Sequence, residues 1–158
     1  PERTDHALLD GFKLMRASIP QMQAGGMTRD VLAGVLAAAP GTAGSTFGAT
    51  LHADGISAMA GSMLAVDAAV LDPVLDGTIG TFLDPDVPFA APSLIVCADP
   101  TVPGAVADPD LARHFAEISP AVEVLVVDGA GHLIHDELGV RDRFRNAVID
   151  FIDRTVTT

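Results

Sequence analysis

Tryptophan and tyrosine are absent from the 158 residues, and cysteine occurs once, at Cys97. A lone cysteine excludes an intrachain disulfide framework and any multi-cysteine zinc site within the chain. Basic residues are scarce. Nine Lys and Arg, of which Lys13 is the one lysine, stand against 21 Asp and Glu, for a formal net charge of −12. Phosphate binding needs a basic face, and an anionic membrane surface attracts the same sign of charge. Neither nucleic acid nor membrane is therefore an expected partner. No uninterrupted apolar run approaches about 18 residues, the length that spans a bilayer. The first residues, Pro1-Glu2-Arg3-Thr4-Asp5, carry neither a basic n-region nor an apolar h-region, so no signal peptide is expected there and the cytoplasm is the default compartment.

What the chain does have is apolar mass, 49% of its residues, enough to build a core. In the first half that mass follows helical spacing. Leu8, Leu9, Phe12 and Met15 predict a helix over 4–18, which Pro20 and Gly25-Gly26 should end. Thr28 is suited to cap a helix running to about Ala39, and Pro40-Gly41 closes it. Residues 40–50 are small and read as loop. Ile56, Met59, Met63, Leu64 and Val66 predict a third helix over about 55–70, and Asp72-Pro73 opens a short turn of helix.

The second half reads differently. Ser93-Leu94-Ile95-Val96-Cys97 and Val122-Glu123-Val124-Leu125-Val126-Val127 are short apolar runs of the kind that form strands buried on both faces. Asp108-Pro109 starts a helix between them, and another spans about Val140 to Arg154. The order strand, helix, strand predicts a right-handed parallel crossover. Two strands alone make a marginal sheet with exposed edges. The second half therefore reads as one side of a larger sheet whose other strands come from elsewhere.

In a parallel sheet, functional groups gather beyond the carboxyl ends of the strands. Asp99 follows the first strand and His132 the second, the latter through the turn Asp128-Gly129-Ala130-Gly131. A carboxylate orienting an imidazole that acts as general base is two thirds of a nucleophilic triad. The plainer alternatives are a turn-capping Asp before Pro100 and a surface His in a flexible turn.

The segment Asp128-Gly129-Ala130-Gly131-His132, with Leu133-Ile134-His135-Asp136-Glu137 and an amphipathic helix after it, resembles the end of alpha/beta-hydrolase fold enzymes. There a G-x-G-H turn presents the catalytic histidine. Pro92 to Pro100 resembles the preceding strand, which ends in the triad acid. The resemblance covers residues 92–154. It implies an α/β fold in which residues 81–158 form the C-terminal part of a mostly parallel sheet and residues 1–80 an all-helical cap. It also implies the roles of His132 as base and Asp99 as acid, with Asp108 as the alternative acid, and requires no cofactor.

One departure matters. The family's nucleophile sits on a G-x-S-x-G elbow between a strand and a helix, and this chain has none. Gly44-Ser45-Thr46-Phe47-Gly48 holds its serine one position early with no strand before it, and Gly55-Ile56-Ser57-Ala58-Met59 lacks the second glycine. Ser18 and Ser62 lie inside helical segments. The nucleophile, whether Ser, Asp or Cys, is expected on a separate or unseen N-terminal hydrolase half, which is then the expected partner.

His132, His135 and Asp136 also suggest a metal site, but three neighbouring ligands would need a fourth and an outer shell of support, so no metal is expected. His6, His52 and His114 have no constellation around them and read as surface residues. The methionines lie in the first half. Met15, Met22, Met59 and Met63, with Met27, suit an adaptable wall for an apolar small-molecule substrate, or ordinary packing between helices. The expected function is hydrolysis of an ester, lactone or similar apolar substrate. A non-catalytic hydrolase-like module that binds an apolar ligand or partner is the alternative.

Overall fold

The computed structural model describes residues 6–41, 44–82, 84–103, 105 and 109–156. It is a mixed α/β structure with a two-stranded parallel sheet, and it divides into two compact units. The first comprises residues 1–40, 46–49 and 53–83, and the second residues 41–45, 50–52 and 84–158. Among the described residues, no single helix is long and apolar enough to cross a membrane.

The first unit is helical: α1 (His6–Ala24), α2 (Arg29–Ala38), α3 (Phe47–Thr50, whose last residue belongs to the second unit), α4 (Ala53–Ala65), a 3-10 turn over Ala68–Leu71, α5 (Asp72–Leu75) and a second 3-10 turn over Thr78–Phe82. Thr28 caps α2 as its sequence predicts, its hydroxyl accepting from the Val31 N–H at 3.4 Å. Pro20 does not end α1, which continues to Ala24. A proline inside a helix loses one backbone bond. Two anchors on either side offset that loss. Ile19 is buried, and the Gln23 amide nitrogen donates to the Met63 carbonyl at 3.2 Å and the Val66 carbonyl at 2.8 Å. The third expected helix is split, because α4 stops at Ala65 and Asp67 caps the next turn by accepting from the Ala69 N–H at 2.9 Å. Arg16 and Asp72 make a forked pair, Nε to Oδ1 at 2.6 Å and Nη2 to Oδ2 at 3.2 Å. The pair holds Asp72 below the usual carboxylate value and Arg16 above its own.

The second unit is built on β1 (Ser93–Ala98), α6 (Pro109–Ile118), β2 (Val122–Val127) and α7 (Arg141–Val156). The strands pair parallel with Ser93 opposite Val122 and Ala98 opposite Val127, so both chains run out at the same edge. Phe115 of α6 is buried, and its ring meets Phe89 edge-on at 5.2 Å. Ser119, also buried, accepts from the Phe89 N–H at 2.8 Å. A second cluster joins Val127, Ala130 and Val140 with Val96, Leu125 and Ile134 packed against it.

The expectation that both strands are buried on both faces holds only in part. Cys97 and Ala98 are buried, but Glu123 and Val126 of β2 are exposed. Glu123 faces Arg154 of α7, whose Nη2 donates to its carboxylate at 2.6 Å. A two-stranded sheet leaves both strands at an edge, so a sequence that suits an interior strand stays partly uncovered here.

A short piece from the middle of the chain joins this unit. Leu51, buried, pairs antiparallel with Glu137. The Leu138 N–H donates to the Thr50 carbonyl at 2.8 Å, and the His52 N–H to the Asp136 carbonyl at 2.8 Å.

Candidate functional site

The parallel register brings the turns after β1 and β2 together. The Asp99 N–H donates to the Ala130 carbonyl at 2.9 Å, which continues the strand pairing beyond the strands themselves. The Asp99 carboxylate binds both turns. Oδ1 accepts from the Thr101 N–H at 2.8 Å and the Thr101 hydroxyl at 2.7 Å, and Oδ2 accepts from the Gly129 N–H at 2.8 Å. These donors, the Thr101 hydroxyl foremost and then the Gly129 and Thr101 N–H groups, hold Asp99 below the usual carboxylate value of 3.8. Gly129 has φ +76°, a left-handed conformation that favours glycine. On the far side of the turn, the Arg143 guanidinium of α7 donates to the Asp128 carbonyl.

His132 is exposed at the start of the following turn. Among the described residues its ring has no hydrogen-bond or ion-pair partner, so the expected hydrogen bond to Asp99 is not formed. The carboxylate is instead turned to the local donors of Thr101 and Gly129. The turn-capping role weighed for Asp99 is present in full. Asp108, the alternative acid, lies outside the described residues.

The backbone on both sides of His132 is held by Glu137, a residue to which the sequence pattern gives no role. The Glu137 carboxylate accepts from the Gly131 N–H at 2.7 Å and the Leu133 N–H at 3.2 Å. The approach is so close that a Cβ on Gly131 would stand 2.6 Å from Glu137 Oε1. Gly131→Ala is therefore expected to push the carboxylate off both N–H groups. Loss of hydrogen bonds to a charged acceptor costs about 1.5–3 kcal/mol each when made, and a lowered thermal midpoint of the assembled protein checks it.

His135 sits beside Asp136, Nε2 to Oδ2 at 3.2 Å. No group of three or more His, Cys, Asp or Glu among the described residues could hold a metal ion. His114, expected as a plain surface residue, is half-buried, with Nε2 3.1 Å from the Pro85 carbonyl oxygen. His52 is half-buried, and the His6 side chain lies outside the described residues.

Met15 and Met22 lie on α1 and Met59 and Met63 on α4. These two helices contact one another in the first unit, and all four side chains are half-buried. Met27, also half-buried, follows α1 before the start of α2.

Compared with known proteins, the chain matches no family model, no curated protein and no solved structure.

Proposed function

We propose that this chain carries the base-and-acid half of an alpha/beta-hydrolase-type enzyme acting on an ester, lactone or similar apolar substrate. The observation that carries this reading is the shared carboxyl edge. Asp99 and the His132 turn follow consecutive parallel strands, and the Gly129 N–H donates to Asp99 across the gap between them. In the reaction, His132 takes the proton from the attacking hydroxyl or water as the bond to the substrate carbonyl forms, then gives it to the departing oxygen. Asp99, kept ionised by its donors, favours the positive charge that develops on the imidazole. The nucleophile comes from the N-terminal half, whether that is a second chain or an earlier segment of the same one.

The test is to isolate the protein from its native source through a tag on this chain. The preparation is then assayed on ester, lactone, epoxide and haloalkane substrates, and the covalently labelled residue mapped after a mechanism-based probe. Turnover together with a labelled residue on a strand-to-helix elbow outside residues 1–158 is expected. No turnover on any class would overturn the reading. A second reading, a non-catalytic module holding an apolar ligand, is favoured by one observation: the His132 ring has no partner among the described residues. It predicts ligand retention without turnover.

A further inference from the structure

We propose that Glu137 is the positioning residue of the His132 turn: its carboxylate fixes the backbone on both sides of the histidine and so sets where the imidazole is presented. As a statement about catalysis this rests on the hydrolase reading above. As a statement about conformation it does not.

The geometry is specific. The two N–H groups that Glu137 accepts belong to Gly131 and Leu133, the residues immediately before and after His132. One side chain therefore holds the Ala130–Gly131 peptide before the histidine and the His132–Leu133 peptide after it, which narrows the directions its Cβ can take. No other side chain among the described residues bonds those two N–H groups. Gly131 is buried, so its N–H has little access to water in place of the carboxylate, and an unpaired buried N–H is costly.

A clamp is useful only if it is itself held, and every polar group of Glu137 is engaged. Its N–H donates to the Leu133 carbonyl at 3.1 Å. Its carbonyl accepts from the Arg141 N–H at 3.0 Å, the first residue of α7. On either side, Asp136 and Leu138 bond to His52 and Thr50, so Glu137 is the centre of a short antiparallel rung opposite Leu51. The carboxylate thus connects the histidine turn to the start of a helix and to a separate stretch of chain. A catalytic group held this way keeps its geometry without direct contact to its ring. Displacement of such a group by about 1 Å is enough to cost about 100-fold in rate.

Glutamine has the same shape but one acceptor oxygen in place of two, so one of the two N–H groups must face an N–H₂. The experiment compares Glu137→Gln with the unchanged protein in the complete native assembly. Amide hydrogen exchange at one of Gly131 and Leu133, or at both, is expected to rise about 10- to 100-fold, with β1 and β2 unchanged. Unaltered exchange at both amides overturns the proposal. In kinetics, kcat is expected to fall about 10- to 100-fold with KM within about two-fold. The same substitution made on a His132→Ala background should cost nothing more, because two residues that act as one unit are not additive. An equal loss on both backgrounds shows a general structural role and overturns the positioning one. If the unchanged assembly has no hydrolysis while Glu137→Gln still speeds exchange at either amide, the clamp is upheld and the hydrolase reading falls. If Glu137→Gln does not assemble, Gly131→Ala displaces the same carboxylate while leaving Glu137 in the chain. Faster exchange at Leu133 in that variant supports the proposal, and unchanged exchange overturns it.

Discussion

Replacing His132 by alanine is expected to lower kcat for ester or lactone hydrolysis by about 10⁴-fold or more in the protein assembled with its nucleophile-bearing half. The thermal midpoint should hardly move. His132 is exposed and its ring has no partner among the described residues, and substitutions at such positions stay within about 0.5 kcal/mol. Asp99→Asn is the contrasting case. An amide in place of the carboxylate sets an N–H₂ against either the Thr101 or the Gly129 donors, so the tie between the two turns is broken at one end. Activity and stability are then expected to fall together. The pH dependence has a definite sign. The folded Asp99 carboxyl titrates below its ordinary value of 3.8. Its contribution is therefore complete above that value and is lost only as pH falls through the lower, folded one. A loss of activity confined to strongly acidic pH would point to Asp99. A His132→Ala protein that retains more than about a tenth of its kcat has no catalytic histidine at this position.

Residues 1–158 produced alone are expected to behave as a molten species, with strong binding of a hydrophobic dye, weak near-ultraviolet circular dichroism and no cooperative melt. The reason lies in the second unit. Among the described residues its sheet has two strands, both at an edge, and pairs of strands are marginal in water without further partners. No residue of α7 is buried, and Ile149, Ile152 and Val156 are 47%, 49% and 78% exposed. Val126 of β2 is 39% exposed. Apolar area left in water at these positions is stabilisation not gained, at about 25 cal/mol per Å². On the hydrolase reading proposed above, adding the nucleophile-bearing half should restore a sharp transition and suppress dye binding. A clean monomer of residues 1–158 with a cooperative melt would show that the chain needs no other half.

Where the sequence was legible, a local rule and the packing pointed the same way. β2 begins and ends where its apolar run does, and β1 extends one residue further, to Ala98. The Thr28 cap and the Gly-rich turn before His132 were readable because each depends on residues a few positions apart. Pro20 was misleading because the rule that proline breaks helices is local. Ile19 and Gln23 overrule it through contacts with distant residues. The short helix Phe47–Thr50 and the Leu51 rung left no trace in the pattern, since a pairing this brief has no periodicity to detect. Asp99 was found as an acid at the right edge, and its capping role was foreseeable from Asp99-Pro100-Thr101. What could not be read was the outcome of the competition for its oxygens, which depends on where Gly129 lies in space. Glu137 had one faint signal: a carboxylate a few residues after His132, in a turn whose Gly131 leaves room for it to fold back.

The Leu51 rung also bears on how the protein can be cut. Along the chain, the helical part and the sheet part look separable at about residue 83. In space residues 50–52, which lie between helical segments along the chain, belong to the sheet-bearing unit and bond to the backbone on either side of Glu137. A truncation that starts after residue 83 therefore removes more than the helices. It strips the Thr50 acceptor from Leu138 and the His52 donor from Asp136, and leaves the support of the histidine turn open to water. Activity lost by such a fragment would say nothing about whether the helices cover a substrate. Deleting the helices while supplying residues 50–52 as a separate peptide would distinguish a missing cover from a missing brace.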